Sequence, residues 1–165
     1  MKRLTLIMFI LLALVCIACN LFNKDNVSQR QKQLEDRSCA LLAAEQSGDA
    51  VLATSFFTSD ATIHVPWRKV IKGRNSIKGF YKGLFANKEV KSFTSCTMLL
   101  EMARGEDMAY ECGINKLIIN AENEELVDMG KYLIVWVYKN DQWYVAALSF
   151  SSDCPKPVEM PLIAE

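Results

Sequence analysis

The segment Gly130-Lys-Tyr-Leu-Ile-Val-Trp-Val-Tyr-Lys-Asn-Asp-Gln-Trp143 decides the fold class of this 165-residue chain. Its run of β-branched and aromatic residues indicates a strand, in which successive side chains point to opposite faces. The polar residues 139–142 predict a hairpin turn into a second strand, 143–152. If Tyr138 lies opposite Trp143, one face of this pair is wholly apolar, and we expect it to pack against helices. That face comprises Leu133, Val135, Val137, Tyr144, Ala146 and Leu148.

The rest of the domain adds a second hairpin and several helices. Strands are predicted over 93–103 and 108–119, with a short strand at 60–65. Helices are predicted over about 30–47, 50–57 and 75–85. The apolar face of the first helix is expected to hold Leu34, Cys39, Leu41, Leu42 and Ala43. Helices followed by an antiparallel meander are typical of an α+β fold, with the helices packed on one face of a curved sheet.

The N-terminus predicts export and a lipid anchor. Two basic residues precede a mostly apolar run over 4–18, which is shorter than the roughly 20 residues of a bilayer span and typical of a signal peptide. The run ends in Leu14-Val-Cys-Ile-Ala-Cys19, which resembles a bacterial lipobox with Cys16 where leucine is usual. The resemblance implies acylation of Cys19 and attachment to a bacterial membrane, with the domain facing the periplasm or the exterior. An uncleaved anchor and an ordinary cleaved signal are the alternatives.

These patterns divide the chain into four parts. They are a signal peptide over 1–18, a lipidated cysteine with a tether over 19–30, a domain over 31–154 and a C-terminal tail over 155–165. Basic and acidic residues are equal in number, 19 of each, and no basic patch interleaves with aromatic residues. We therefore expect no nucleic-acid partner.

Six motifs of the domain resemble, in order, those of the SnoaL-like branch of the NTF2-like superfamily, the group often labelled DUF4440. The motifs are Ser47-Gly-Asp-Ala50, residues 59–66, 71–81, 105–113 and 130–143, and Ser151-Ser-Asp153. The resemblance spans residues 30–154 and implies a cone, in which helices close a bent sheet around a cavity. It also implies a homodimer formed through the outer face of the sheet. Members of the superfamily include isomerases, cyclases, dehydratases and binding domains, so the fold leaves the activity open.

His64 is the only histidine and the first candidate for catalysis. Histidine is well suited to proton transfer near neutral pH, and His64 shares a strand face with Thr62. In an enzyme of the ketosteroid-isomerase or polyketide-cyclase type, His64 is the acid or base, and Tyr81 or Tyr110 is the hydroxyl donor. A ligand contact and a structural role are the alternatives for His64.

A binding pocket is the leading hypothesis for function, with the enzyme and a dimerising interaction module as alternatives. Aromatic side chains with a few polar groups are typical of pockets for small apolar molecules. The predicted lining comprises Trp67, Phe80, Glu101, Trp136 and Tyr144, although Trp136 fits a dimer contact as well. By the hairpin register Glu101 lies opposite Tyr110, and Glu111 points to the other face. No phosphate loop, nucleophile elbow or metal-ligand cluster is present in the sequence, so no cofactor and no metal is predicted.

Four cysteines follow Cys19, and their redox state is left open. They are Cys39, Cys96, Cys112 and Cys154. Disulfides are compatible with export, and buried free thiols are equally compatible with the spacing. Pairing Ala103 with Met108 places Cys112 opposite Leu99 and on the face opposite to Cys96, so a bond between Cys96 and Cys112 would need a β-bulge.

Overall fold

The computed structural model describes residues 29–121 and 124–154. The predicted signal peptide, Cys19, most of the tether and the C-terminal tail lie outside these residues. The first described helix already includes residues 29 and 30, which the sequence pattern assigned to the tether.

None of the helices within the described ranges is long and apolar enough to cross a membrane.

The described residues form three helices and six strands. The helices are α1 over 29–46, α2 over Ala50–Ser55 and α3 over Arg74–Ala86. The strands are β1 Phe57–His64, β2 Ile71–Lys72, β3 Val90–Met102, β4 Met108–Ala121, β5 Glu124–Lys139 and β6 Gln142–Phe150. They form one unclosed, curved sheet in the order β2-β1-β6-β5-β4-β3, in which only the β1–β6 pair is parallel. The predicted α+β class, with N-terminal helices on a curved sheet, is confirmed.

Local sequence explains the turn between the first two helices. Gly48 follows α1 with φ of +71°, a left-handed conformation that glycine adopts at little cost. The side chain of Asp49 then accepts hydrogen bonds from the backbone N–H groups of Val51 and Leu52, at 3.0 and 2.9 Å. Asp49 is therefore the N-cap of α2.

The buried face of β5 is the opposite of the one predicted. Tyr132, Ile134 and Trp136 point toward the helices and are buried, whereas Leu133 is 45% exposed on the other side. Both faces of this strand are apolar, so periodicity alone does not choose between them. Size and hydrogen bonding determine which face is buried. The large aromatic rings of Tyr132 and Trp136 lie on the helix-facing side, where their polar atoms form hydrogen bonds with buried groups. We call the helix-facing side of the sheet the inner face and the other side the outer face.

A β-bulge also changes the predicted register of β5 and β6. Tyr138 pairs with Trp143 as expected, but Val135 lies opposite Ala147 rather than Ala146. The extra residue, Ala146, moves Leu148 to the inner face, where it is fully buried. Such a bulge bends the strand and sharpens the curvature of the sheet.

The hairpin of β3 and β4 has the predicted register near its turn. Glu101 pairs with Tyr110, and Leu99 pairs with Cys112. A bulge at Met98 then shifts the register, so Cys96 lies on the same face as Cys112, and the expectation of opposite faces was wrong.

All four cysteines of the described ranges are free thiols in this structure. They are Cys39, Cys96, Cys112 and Cys154.

The predicted apolar face of α1 was partly wrong. The stripe that faces the sheet is Leu34, Ser38, Leu41 and Glu45, at helical spacing, whereas Cys39 is exposed. Trp143 anchors this helix by donating from Nε1 to the carbonyl of Arg30 at 3.1 Å. Helix α1 therefore brings two polar side chains, Ser38 and Glu45, into the interior.

Candidate functional site

Within the described residues, two cavities lie between the helices and the inner face of the sheet. The larger has a volume of about 110 Å³ and the smaller about 20 Å³. Phe150 lines both cavities. Tyr81 lines the larger one, and its hydroxyl contacts Glu45, which lines the smaller. The two cavities are therefore adjacent compartments of one interior.

The larger cavity has a mostly apolar wall. Its apolar lining includes Trp67, Phe80, Tyr81, Leu84, Phe93, Leu117 and Phe150. The rings support one another: the centroid of Tyr81 lies 5.6 Å from that of Phe80, and Phe93 packs edge-on against Phe150 at 5.7 Å. Trp67 is 42% exposed and has φ of 59°, which is rare for a bulky residue and is found at ligand clamps. This residue marks the mouth of the cavity.

Asn115 is the most buried polar residue of the larger cavity. It is 7% exposed, and its Oδ1 has no hydrogen-bond partner among the described residues. Gly130 lies opposite it on β5 and leaves the necessary room: a Cβ there would be 1.9 Å from the carbonyl oxygen of Ser151 and 3.2 Å from Oδ1 of Asn115. An unpaired buried carbonyl oxygen costs stability, and this one is enclosed by protein rather than open to the cavity.

Two opposite charges complete the lining of the larger cavity. Asp128 is half-buried on β5, and its Oδ1 accepts a hydrogen bond from the hydroxyl of Ser152 at 2.7 Å. Arg68 is half-buried in the loop after β1. The described residues give neither of them an ion-pair partner.

The smaller cavity contains two buried carboxyl groups. Glu111 of β4 is 3% exposed, and three side chains donate hydrogen bonds to it. Thr97 and Tyr132 donate to Oε1 at 2.7 and 2.9 Å, and Nε1 of Trp136 donates to Oε2 at 3.0 Å. Glu111 is therefore well satisfied in the interior. A cavity of about 20 Å³ has room for one water molecule, which needs roughly 10–15 Å³.

Gly113 allows Tyr132 to reach Glu111. The two residues are paired across β4 and β5, and a Cβ on Gly113 would lie 2.7 Å from the Tyr132 ring and 2.1 Å from the carbonyl oxygen of Cys96. The ring therefore lies over the glycine, with its hydroxyl beside the carboxylate. Burial raises the pKa of the Tyr132 hydroxyl, which stays protonated and able to donate.

Glu45 of α1 is the second carboxyl group of the smaller cavity and is 8% exposed. The hydroxyl of Tyr81 donates to its Oε1 at 2.5 Å. Burial raises the pKa of Glu45 to about 7, the bond from Tyr81 opposes the increase, and the charge of Glu111 adds to it. The pKa of Tyr81 is also raised, by burial first and by Glu45 second. Glu45 thus titrates near neutral pH inside the protein.

Three of the residues predicted from sequence meet at the larger cavity. Trp67, Phe80 and Tyr81 line it, and Trp136 is fully buried nearby as a donor to Glu111. Trp136 therefore faces the core and not the outer face where a dimer contact would lie.

The other predicted site residues lie away from both cavities. His64 is exposed at the end of β1, on the side opposite to buried Ile63, and lines neither cavity. Tyr110 and Glu101 are exposed on the outer face, where the tyrosine hydroxyl donates to the carboxylate. Tyr144 is half-buried, and its hydroxyl donates to the side chain of Gln142 at 3.0 Å.

Glu45 and Asn115 were missed as site residues. The signal for Glu45 was its spacing, since it continues the stripe of Leu34 and Leu41 on α1 and so places a carboxyl group at a core position. For Asn115 the signal was alternation on β4, where every second residue from Glu111 onward faces the interior.

Solved structures with this architecture are numerous. A ketosteroid isomerase-like protein from Erwinia carotovora atroseptica SCRI1043 has a TM-score of 0.65 at 16% identity, over 75% of this chain and 96% of that one. An NTF2-like protein with a cystatin-like fold from Novosphingobium aromaticivorans has a TM-score of 0.65 at 12% identity, over 84% and 92%. An NTF2-like superfamily protein from Salmonella enterica has a TM-score of 0.62 at 15% identity, over 79% and 96%.

These similarities define the class: the chain has the NTF2-like fold. No family model matches the chain, and no curated protein matches it significantly. At identities this low the structures establish the fold and leave the activity to be argued from the site.

Proposed function

We propose that this protein binds a small, mostly apolar molecule in the larger cavity. The observation that carries the proposal is a cavity of about 110 Å³ with aromatic walls and a few polar side chains in its lining. An engineered apolar cavity of about 150 Å³ is enough to hold benzene. The present cavity is smaller but is open at Trp67, so it fits a molecule of about one ring whose end extends to the mouth.

Equilibrium dialysis tests binding directly. Full-length protein in lipid nanodiscs is dialysed against ethylbenzene, and the control is Leu117→Trp, which fills the cavity without touching the outer face. We expect the unmodified protein to take up about one more equivalent of ethylbenzene than the filled variant. Equal uptake by both proteins would mean partitioning into lipid and would contradict the proposal.

The proposal extends to location and subfamily. The lipobox-like segment ending at Cys19 supports a lipid-anchored protein of the bacterial cell envelope, and the six ordered motifs support the SnoaL-like branch. In a Cys19→Ala variant we expect the protein to lose acylation, followed by incorporation of radiolabelled palmitate, and to retain its signal peptide. Equal incorporation of label by the variant and the unmodified protein would refute lipidation at Cys19.

A homodimer is part of the same proposal, and an exposed apolar patch supports it. On the outer face several large side chains are exposed by 39% or more: Met98, Leu99, Tyr110, Ile114, Val127, Met129 and Leu133. Apolar patches of this kind mark protein interaction sites. A second copy of the chain covers such a face symmetrically.

Proton-transfer catalysis is a second candidate function, favoured by the contact between Tyr81 and Glu45. When Glu45 is protonated, its carboxyl can donate to the oxygen of Tyr81, which frees the tyrosine proton to bond a carbonyl oxygen in the larger cavity. The carboxylate of Asp128 lines the same cavity and can take a proton from carbon and return it elsewhere on the substrate. This is an isomerase-type reaction that uses Glu45 in place of His64.

A small β,γ-unsaturated ketone tests this candidate. We expect full-length protein to convert it to the conjugated isomer, with a rate that falls as Glu45 ionises above about pH 7. Tyr81→Phe should lower kcat at least tenfold, and His64→Ala should leave it unchanged. A rate no faster than that of buffer, or a dependence on His64, would exclude the candidate.

A further inference from the structure

We propose that the turn at residues 65–70, with the basic residues around it, docks on an anionic phospholipid surface, so that the mouth of the larger cavity faces the membrane. The inference rests on an exposed tryptophan at the tip of the turn and on a surplus of positive charge beside it. It is independent of the proposed ligand binding, because neither observation involves an occupied cavity.

The backbone of the turn presents Trp67 at its tip. The N–H of Arg68 donates to the carbonyl of Val65 at 3.3 Å, so residues 65–68 form a β-turn. Pro66 takes the second position and Trp67, with φ of 59°, the third, which is typical of a type II turn. The third position of such a turn favours glycine, so a bulky side chain there is strained, and strain of this kind clusters at functional sites.

The apolar side chains of the turn are only partly covered. Trp67 is 42% exposed, and Val70 at the end of the turn is 52% exposed. Tryptophan is enriched where membrane meets water, because its ring is mostly apolar and its N–H group is polar. An exposed tryptophan beside an exposed aliphatic side chain therefore fits the head-group region of a bilayer.

Positive charge is concentrated in the same part of the chain. No acidic residue occurs between Asp60 and Glu89, whereas seven basic residues do: Arg68, Lys69, Lys72, Arg74, Lys78, Lys82 and Lys88. None of the seven forms an ion pair with a described residue. The equal totals of acidic and basic residues conceal this segment, so the expectation of no basic patch interleaved with aromatic residues was wrong.

The fold keeps these charges near the turn. The turn joins β1 to the edge strand β2, and α3 begins directly after Gly73. Phe80 of α3 lines the same cavity as Trp67, so the helix lies beside the turn. The guanidinium of Arg74 donates to the carbonyl of Phe57, whereas Lys69 is exposed and no hydrogen bond to a described residue engages its charge.

The combination of charge and apolar exposure favours a membrane over a nucleic acid. Clusters of lysine and arginine are attracted to anionic lipid head groups, and an adjacent apolar side chain is buried at the boundary with the acyl chains. A nucleic acid could stack a base on Trp67 but would leave Val70 in water. An anionic bilayer accounts for both side chains and for the basic residues.

Fluorescence quenching by brominated lipid tests the contact. Full-length protein is placed in nanodiscs whose acyl chains carry bromine, which quenches tryptophan on contact. One set of discs contains anionic phosphatidylglycerol and the other only neutral phosphatidylcholine. We expect at least about twofold more quenching in the anionic discs at low salt, and a loss of the difference at about 1 M salt, where charges are screened beyond about 3 Å.

Variants locate the contact on the molecule. Trp67→Phe should abolish the lipid-dependent quenching, because Trp136 and Trp143 are fully buried. Reversing two exposed charges, with Lys69→Glu and Lys72→Glu together, should remove most of the difference between the two kinds of disc.

The matched control reverses two exposed charges at the other end of β4. It combines Lys32→Glu in α1 with Arg104→Glu in the turn between β3 and β4, and it should leave the quenching unchanged. An equal loss in both double variants would mean that overall charge, and not this surface, draws the domain to lipid, and would overturn the inference.

The other outcomes also overturn the inference. Equal quenching in neutral and anionic discs would exclude recognition of anionic lipid, and no quenching in either would exclude the contact. A single-stranded oligonucleotide that shifts the Trp67 emission in neutral discs, where anionic lipid has no effect, would identify a nucleic acid as the partner. Because no ligand is added, each of these failures leaves the proposed binding function standing.

Discussion

At the scale of single residues, Glu45 is a buried carboxyl group that titrates near neutral pH. Its pKa is 4.5 in an unperturbed chain and about 7 in the folded protein. Between these pH values the folded protein holds a proton that the unfolded chain has released, so the stabilising contribution is complete below about pH 4.5 and is lost as the pH rises through 7. The group therefore links stability to pH across the neutral range.

The first prediction follows from the direction of this pKa shift, which lowers stability as the pH rises. The free energy of unfolding should fall by about 2 kcal/mol between pH 5.5 and pH 8, at about 1.4 kcal/mol per pH unit up to the folded pKa. Glu45→Gln, which imitates the neutral acid, should remove this part of the slope. Urea unfolding of both proteins at the two pH values provides the measurement. Identical slopes would show that Glu45 does not titrate in this range.

Asn115 carries the second prediction, which concerns stability. Asn115→Leu replaces an unpaired buried amide oxygen with an apolar side chain of similar size, so we expect stability to rise by about 1–2 kcal/mol. Thermal unfolding of the two proteins checks the effect. A less stable variant would contradict the assignment of Oδ1 as an unpaired acceptor.

Much of the site could not be predicted from the sequence, and individual residues show the physical reason. Tyr81 and Phe80 could be assigned because, together with Ile77 and Leu84, they follow the helical spacing of one apolar face. Glu45 obeys helical spacing on α1, but a carboxyl group at a core position contradicts its usual exposure. It becomes acceptable only because Tyr81, 36 residues away in a different helix, supplies a donor. Tertiary partners of this kind leave no local pattern.

At the scale of secondary-structure elements, β4 and β5 depend on two glycines in their interiors. Gly113 lies beneath the Tyr132 ring, and Gly130 lies against the carbonyl of Ser151. Glycine normally weakens a strand, but here the absence of a Cβ lets neighbouring groups approach closely. These two positions shape the inner face around Glu111 and Asn115.

The third prediction compares these glycines with one in a helix. Gly113→Ala and Gly130→Ala should each cost about 3 kcal/mol or more, because the new Cβ meets backbone oxygen atoms at 2.1 and 1.9 Å. Gly79→Ala in α3 is the matched control, since nothing lies within 4 Å of its Cβ position, and it should stabilise by about 0.5–1 kcal/mol. Urea unfolding curves compare the three. Equal effects at all three positions would contradict the close-packing argument.

The positions of the helices and strands were largely predictable from the sequence. Which face of each strand is buried was not. The turn at 139–142 set the pairing of Tyr138 with Trp143, because a tight turn leaves little freedom of register. The bulges at Met98 and Ala146 have no local signature in the sequence, and each moves every residue beyond it relative to the partner strand. Choosing the buried face of β5 needed knowledge of where the helices lie.

At the scale of the whole molecule, the outer face of the sheet carries an exposed apolar patch within the described domain. Its exposed apolar side chains lie on three neighbouring strands, β3, β4 and β5. Burying such side chains against a second copy would stabilise an association at roughly 25 cal/mol per Å² of apolar area before the costs of association are subtracted. The patch therefore provides the driving force that a homodimer needs.

The fourth prediction tests that association. Leu133→Glu introduces a charge into the patch and should convert a dimer into a monomer. Lys82→Glu, an exposed change on α3 away from the sheet, should leave the mass unchanged. Light scattering after size-exclusion chromatography gives the two masses. A Leu133→Glu variant with the mass of the unmodified protein would place any dimer contact elsewhere.

The position of Trp67 gives the molecule a built-in optical reporter. Of the three tryptophans, Trp136 and Trp143 are fully buried, and Trp67 alone stands partly in solvent at the mouth of the larger cavity. A ligand that enters the cavity changes the polarity around this one indole and leaves the other two in place. Fluorescence emission should therefore shift to shorter wavelength on binding, and Trp67→Phe should abolish the shift, so occupancy can be followed in real time without a label.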